Sequence, residues 1–230
     1  MNNIIGIIGG SGPSAGLQFC EKIVDIAHKK YGAVQDIDFP HFILSSKGLA
    51  GFDETGIKES RIVYMGLLEE VIRLQAAGCK IIVIACNTLH CFIDDLKKDT
   101  GVEIVNMIEI TLAFASNLGI KKTGMMCSET TNRMKLYKSE AIHLIYPNQN
   151  QQNVINNVVA DIMAGAIDES HIVDLSKVAR DFIDAKSEAI ILGCTELPII
   201  IPSLSAMINV PLLDCTALTA EKIVDLWMCE

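Results

Sequence analysis

The chain has 230 residues, 50% of them hydrophobic, with a net charge of −9 and a pI near 5.0. That balance argues against nucleic acid or an anionic membrane as partner, since both select basic faces, and no apolar run approaches the ~20 residues that span a bilayer. A compact soluble protein of one large domain or two small ones remains. It is expected in the cytoplasm: no leader segment is expected ahead of the first strand, and the eight cysteines then read as thiols rather than disulfides.

Residues 3–9 read as a first strand opening into Gly9-Gly10-Ser11-Gly12-Pro13-Ser14. A helix over 14–30 follows, with Leu17, Cys20, Ile23, Val24 and Ala27 at helical spacing. Residues 39–45 form a second strand, 47–56 a glycine-containing loop, and 60–77 a helix ending at Gly78, a natural C-cap. The run Ile82-Val83-Ile84-Ala85 is a buried parallel strand that stops at Cys86, and a short helix continues through Lys98. A strand at 104–107, a helix to Leu118 stopped by Gly119, and a strand at 122–127 come next. Helix 130–138, strand 142–146, a turn or cap at 148–153, and helices 154–163 and 170–185 follow. The run Ile190-Ile191-Leu192-Gly193 ends at Cys194, and a strand at 212–214 completes the alternation. Alternating strands and helices imply an α/β fold with parallel sheets and right-handed crossovers.

Cys86 and Cys194 stand 108 residues apart, and their surroundings match. Sixteen residues after Cys86 comes Val102-Glu103-Ile104-Val105-Asn106-Met107; sixteen after Cys194 comes Val210-Pro211-Leu212-Leu213-Asp214-Cys215. Gly6-Ile7-Ile8-Gly9 is loosely echoed by Gly124-Met125-Met126-Cys127. A repeat near half the chain length means two homologous halves, not a solenoid. The expectation is two pseudo-twofold-related α/β domains, each with a mainly parallel sheet flanked by helices, and an active site in the cleft between them. The first domain is placed at 1–101 and 210–230 and the second at 102–209, because the segment from Val210 copies the start of the second half.

Open α/β sheets bind ligands at the C-terminal edges of their strands, where both cysteines fall. The first glycine loop lacks the G-x-G-x-x-G spacing of a dinucleotide site. It offers instead backbone N–H groups at a helix N-terminus and the Ser11 hydroxyl, suited to a carboxylate, with a tight glycine turn as the alternative. Cys86 precedes Asn87-Thr88 and Cys194 precedes Thr195-Glu196, so each thiol is expected at a capped helix start, where the dipole favours thiolate. A single such cysteine reads as a small buried hydrophobe; a matched pair reads as an acid and a base. Cys86, His90 and Cys91 sit close enough for a metal, yet no second ligand cluster exists, and His90 also suits a role orienting the backbone near Cys86. Core packing accounts for Cys20, Cys79, Cys91, Cys215 and Cys229. Cys127 ends a strand and meets Ser128-Glu129-Thr130-Thr131, where Ser128 and Thr131 suit either a substrate carboxylate or ammonium, or helix capping.

Gly-Gly-Ser-Gly-Pro at 9–13, Ala-Cys-Asn-Thr-Leu-His at 85–90 and Gly-Cys-Thr-Glu at 193–196 together resemble the aspartate/glutamate racemase superfamily, in its aspartate racemase branch. The similarity extends to Val-Glu-Ile-Val-Asn-Met-Ile-Glu at 102–109 and Val-Pro-Leu-Leu-Asp at 210–214. The resemblance implies a cofactor-independent racemase without pyridoxal phosphate or metal, acting on a small amino acid as a homodimer. It implies that Cys86 and Cys194 exchange the α-proton on opposite faces of the substrate, one as thiolate and one as thiol. It places Ser11, Asn87, Thr88, Ser128, Thr131 and Thr195 near the substrate. Two departures bear on the substrate: acidic-substrate members carry an arginine in the loop after strand two, where this chain has Lys47, Asp53 and Glu54, and a lysine where it has Met163. Without those cations a side-chain carboxylate lacks its bidentate partner. The competing readings are another carbon-acid enzyme of the superfamily and a member that binds amino acids or anions without turnover. A dithiol redox role is disfavoured because no C-x-x-C occurs.

Overall fold

A computed structural model of the chain describes residues 4–53 and 55–228. The predictions at Asn3 and Cys229 lie outside the described residues. In chain order, β1 (Ile4–Ile8) leads to α1 (Pro13–Tyr31), β2 (Phe42–Ser45), the short β3 (Phe52–Asp53) and β4 (Gly56–Ile57), and α2 (Ser60–Ala76). Then come β5 (Cys79–Ile84), α3 (Ile93–Thr100), β6 (Glu103–Val105) and α4 (Met107–Asn117). A second series runs β7 (Lys122–Cys127), α5 (Glu129–Met134), β8 (His143–Ile145), α6 (Gln149–Met163) and α7 (Glu169–Asp184). It finishes with β9 (Ala189–Gly193), α8 (Ile201–Ser205), β10 (Leu212–Asp214) and α9 (Cys215–Met228). Among the described residues no helix is long and apolar enough to cross a membrane.

Two compact units result. One takes in the chain as far as Asp53, Ile57–Met107 and the C-terminal segment from Thr216; the other takes in Ile108–Cys215, together with Thr55 and Gly56. The first sheet has the order β2-β1-β5-β6 and the second β8-β7-β9-β10, every described pairing within them being parallel. Corresponding strands therefore occupy corresponding places, as the internal repeat requires.

The handover between units falls later than the sequence repeat suggests. β6 stays in the first sheet, pairing Ile82 with Ile104. β10 stays in the second, pairing Leu213 with Ile191. A strand–cysteine–helix–strand module is thus kept whole in each unit, and the chain crosses after Met107 and after Cys215 rather than near Gly101 and Asn209. The reason is hydrogen bonding: β6 and β10 complete the edges beside the cysteine strands instead of leaving those N–H and C=O groups open.

The continuous apolar runs of the sequence are strands covered on both faces. In the second unit Met126, Ile190 and Leu192 pack against Ile155, Val159, Leu175 and Phe182 of α6 and α7. The alternate residues Met125, Cys127 and Ile191 pack against Ile120, Tyr137 and Leu213. In the first unit Ile82 and Ile84 meet Val63, Leu67, Val71 and Leu74 of α2 and Leu96 of α3.

Two local expectations need correction, and a third is resolved. The loop at 47–56 contains the paired strands β3 and β4. The helix expected over 130–138 ends at Met134, because Lys135 turns left-handed at φ 49° and sets its ammonium 4.0 Å from the Tyr146 ring centroid. Of the two readings of 148–153, a turn or a helix cap, the cap holds: Asn148 Oδ1 accepts from Gln151 N at 3.0 Å while Asn148 N donates to Gln151 Oε1 at 3.0 Å, a capping box at the start of α6.

Candidate active site

In the first unit, Ile8 lies between Ser45 and Ile84 in the sheet register. The ladder continues one step further, with Ala85 N donating to Ile8 O at 2.8 Å and Gly9 N to Ser45 O at 2.9 Å. Two residues past that row, beyond the three strand ends, come Gly10, Lys47 and Cys86. The approach there is close: a Cβ on Gly10 would stand 1.9 Å from the Lys47 carbonyl oxygen. Gly12 then turns the chain at φ 113°, a conformation that favours glycine, and Pro13 starts α1. The Ser11 Oγ is sealed from solvent and has no hydrogen-bond partner among the described residues. It lies beside the first N–H groups of a 19-residue helix without a side-chain cap, the arrangement expected of an anion-binding loop.

Cys86 is buried, and its backbone carbonyl is held by His90, whose Nδ1 lies 2.8 Å from Cys86 O. His90 Nε2 accepts from Met107 N at 3.1 Å, so Nδ1 carries the ring proton and donates to Cys86 O. Burial pushes this imidazole down to about 4, against the pull of its backbone bonds. A neutral ring therefore ties the cysteine turn to the end of β6, and both its nitrogens are used. Among the described residues no group of three or more His, Cys, Asp or Glu side chains is placed to hold a metal ion.

The second unit repeats the arrangement with different side chains. Cys127 pairs with Gly193, so Ser128 and Cys194 leave adjacent strands, whose spacing is about 4.8 Å. Ser128 caps α5, accepting from Thr131 N at 3.2 Å, and its hydroxyl donates to Thr131 Oγ1 at 3.0 Å. Buried Gln152 fixes this loop from behind, donating to Cys127 O at 2.9 Å, and Asn132 donates to Gln152 Oε1 at 2.8 Å. The Cys194 thiol donates to Glu196 Oε2 at 3.0 Å, and the Thr195 hydroxyl reaches the same oxygen at 3.3 Å. Burial pushes the Glu196 carboxyl up, while the bonds from Cys194 and Thr195 pull it back. Glu196 appears in the Gly-Cys-Thr-Glu motif but is not among the residues singled out from sequence. Its polarity two places after a cysteine was the available signal; its burial was not.

Capped helices do not follow the two cysteines. Both are followed by 3-10 turns, Thr88–Phe92 and Leu197–Ile200, whose starts carry no side-chain cap. A turn of four or five residues has little aligned dipole, so the hydrogen-bonding neighbours, not a helix dipole, set the environment of these thiols. The seven described cysteines are thiols rather than half-cystines. Cys86 and Cys194 keep 7% and 8% exposure, whereas Cys127 and Cys215 have none. Burial pushes the Cys127 thiol up to about 12, and Cys215 donates to Leu192 O at 2.9 Å; both belong to the core. Asn87, Thr88 and Thr195 are buried beside their cysteines.

Residues 8–223 match the family described as Asp/Glu/Hydantoin racemase. The chain belongs to this family. It is 24% identical over 232 residues to the broad specificity amino-acid racemase RacX of Bacillus subtilis (strain 168), covering 98% of each chain. Among solved structures, it resembles an aspartate racemase homologue from Pyrococcus horikoshii OT3 with a TM-score of 0.81 at 23% identity, covering 99% of this chain and 100% of that one. Glutamate racemase from Francisella tularensis in complex with D-glutamate superposes with a TM-score of 0.71 at 20% identity, covering 99% and 81%. The family read from the motifs is the family matched, and the α/β architecture with two sheet-bearing halves is shared with these racemases.

Proposed function

We propose that this protein is an amino-acid racemase that works without pyridoxal phosphate or metal, with Cys86 and Cys194 as its two bases. The observation that carries the reading is the pair of thiols at equivalent strand ends, one of them hydrogen-bonded to the buried Glu196 carboxyl. One thiolate takes the α-proton, the electron pair delocalises into the substrate carboxylate, and the other thiol returns its proton to the opposite face. Ser11, Asn87, Thr88, Ser128, Thr131 and Thr195 supply hydroxyl and amide groups for the substrate carboxylate and ammonium. Charge builds on that carboxylate as the proton leaves, so donors held in place in advance stabilise the transition state more than the ground state. Glu196 gives the Cys194 proton a place to go when that thiol acts as base.

The test is proton NMR in D₂O with separate L- and D-amino acids, followed by chiral chromatography. Loss of the α-proton signal with appearance of the other enantiomer is the expected result. Cys86→Ser and Cys194→Ser should each lower racemisation by roughly 10²-fold or more, since a positioned acid or base contributes that much. Ligand binding that survives in a protein with no exchange would point instead to the binding-only member of the family.

A further inference from the structure

A second carboxylate on the substrate leaves water at a cost of several kcal/mol unless a cation meets it. In the first unit, Lys47 lies two residues past the end of β2, with its carbonyl against Gly10. Its ammonium is directed elsewhere, 2.8 Å from Glu69 Oε2 and 3.3 Å from Glu70 Oε1 of α2. Glu70 is 1% exposed; it also accepts the Ser45 hydroxyl at the end of β2 and lies 3.5 Å from Arg73 Nε. Lys47 thus hydrogen-bonds Glu69 at the surface, while the buried Glu70 Oε1 has Lys47 and Arg73 near it as charges without a hydrogen bond. Lys58, further along the same loop, lies 3.4 Å from Asp53 Oδ2. In the second unit, the strand end that carries Cys194 continues into a carboxyl group, Glu196. Lys135, beyond the Ser128 loop, donates to Asn132 Oδ1 at 2.7 Å.

We propose that the locking of Lys47 onto Glu69 and Glu70 makes this racemase select amino acids whose side chains bear no carboxylate. The inference rests on the racemase reading and adds the substrate class. An acidic side chain would have to draw Lys47 away from Glu69 and from buried Glu70, leaving Arg73 as the cation beside Glu70. A neutral or basic side chain makes no such demand. Lys47 and Glu70 are then specificity determinants that act by withholding a charge.

The test compares α-proton exchange of alanine, serine, methionine and lysine with that of aspartate and glutamate. The best non-acidic substrate should exceed both acidic ones in kcat/KM by roughly tenfold or more, the scale of one ion pair. Lys47→Ala should leave the non-acidic rates unchanged. Glu69→Ala with Glu70→Gln should raise aspartate exchange by about tenfold by releasing the ammonium; if the pair fails to fold, Glu69→Ala alone should raise it by a smaller factor. Aspartate or glutamate exchanging as fast as the best neutral amino acid in the wild type, or losing rate in Lys47→Ala, overturns the proposal and leaves the racemase reading intact. Exchange of no amino acid removes the racemase reading and this inference with it.

Discussion

His90 offers a quantitative check on the architecture around Cys86. Its Nε2 accepts from Met107 N, so a proton added there would set N–H against N–H in a buried site. The folded protein therefore resists protonation down to about 4, whereas an unfolded histidine titrates near 6.5. Above both values neither state carries the proton; between them only the unfolded state does, so stability falls as pH drops through that window. At about 1.4 kcal/mol per pH unit the loss sums to the order of 3 kcal/mol between pH 7 and pH 4. The assay is urea unfolding at pH 7, 6, 5 and 4 at constant ionic strength, for the wild type and His90→Gln. Gln cannot titrate and forfeits at least one bond, so it should be less stable at pH 7 by about 1–2 kcal/mol. That deficit should shrink, and can reverse sign, as pH falls. His171 is shifted the other way, raised by its bond to Asp161, but it is present in both proteins and cancels in the difference. A wild-type-minus-variant difference that stays constant with pH, or an NMR titration of His90 near 6.5, refutes the argument.

Other substitutions probe the remaining contacts. Glu196→Gln removes the carboxylate acceptor 3.0 Å from the Cys194 sulfur, so the Cys194 proton loses its place to go and iodoacetamide should alkylate Cys194 roughly tenfold more slowly at pH 7. In the same variant kcat should drop by about tenfold or more with KM little changed; an unaltered alkylation profile would show that the contact does not tune the thiol. Gly10→Ala forces a methyl to 1.9 Å from the Lys47 carbonyl; a loss of about 2–3 kcal/mol, seen as a melting temperature lower by at least ~5 °C, is expected. An unchanged melt would mean that the two strand ends are not in contact. Gln152→Leu strips the Cys127 carbonyl of its side-chain donor and should cost about 1–3 kcal/mol by urea unfolding, with a rise in KM as the Ser128 loop loosens.

The sequence by itself determined the parts of this protein that depend on local pattern. Runs such as Ile82-Val83-Ile84 and Ile190-Ile191-Leu192 are short, rich in β-branched residues and apolar on successive positions, as suits a strand covered on both faces, so the parallel sheets and the strand-end cysteines were legible. Turn residues such as Gly12 and Gly78 mark element boundaries because their backbone angles are restricted to glycine-like conformations. Tertiary structure decided everything that turns on which distant groups meet. The repeat could not say to which sheet β6 and β10 belong, since a strand's edge partner is chosen by register and not by composition. The bond from Met107 to His90 joins residues 17 apart, and that between Ser45 and Glu70 joins residues 25 apart. Neither leaves a mark in local spacing. Burial is the common cause: Glu70, His90 and Glu196 look like ordinary polar residues in the chain, and only the packing around them turns one into a clamp on Lys47, one into a neutral strut, and one into the partner of a thiol.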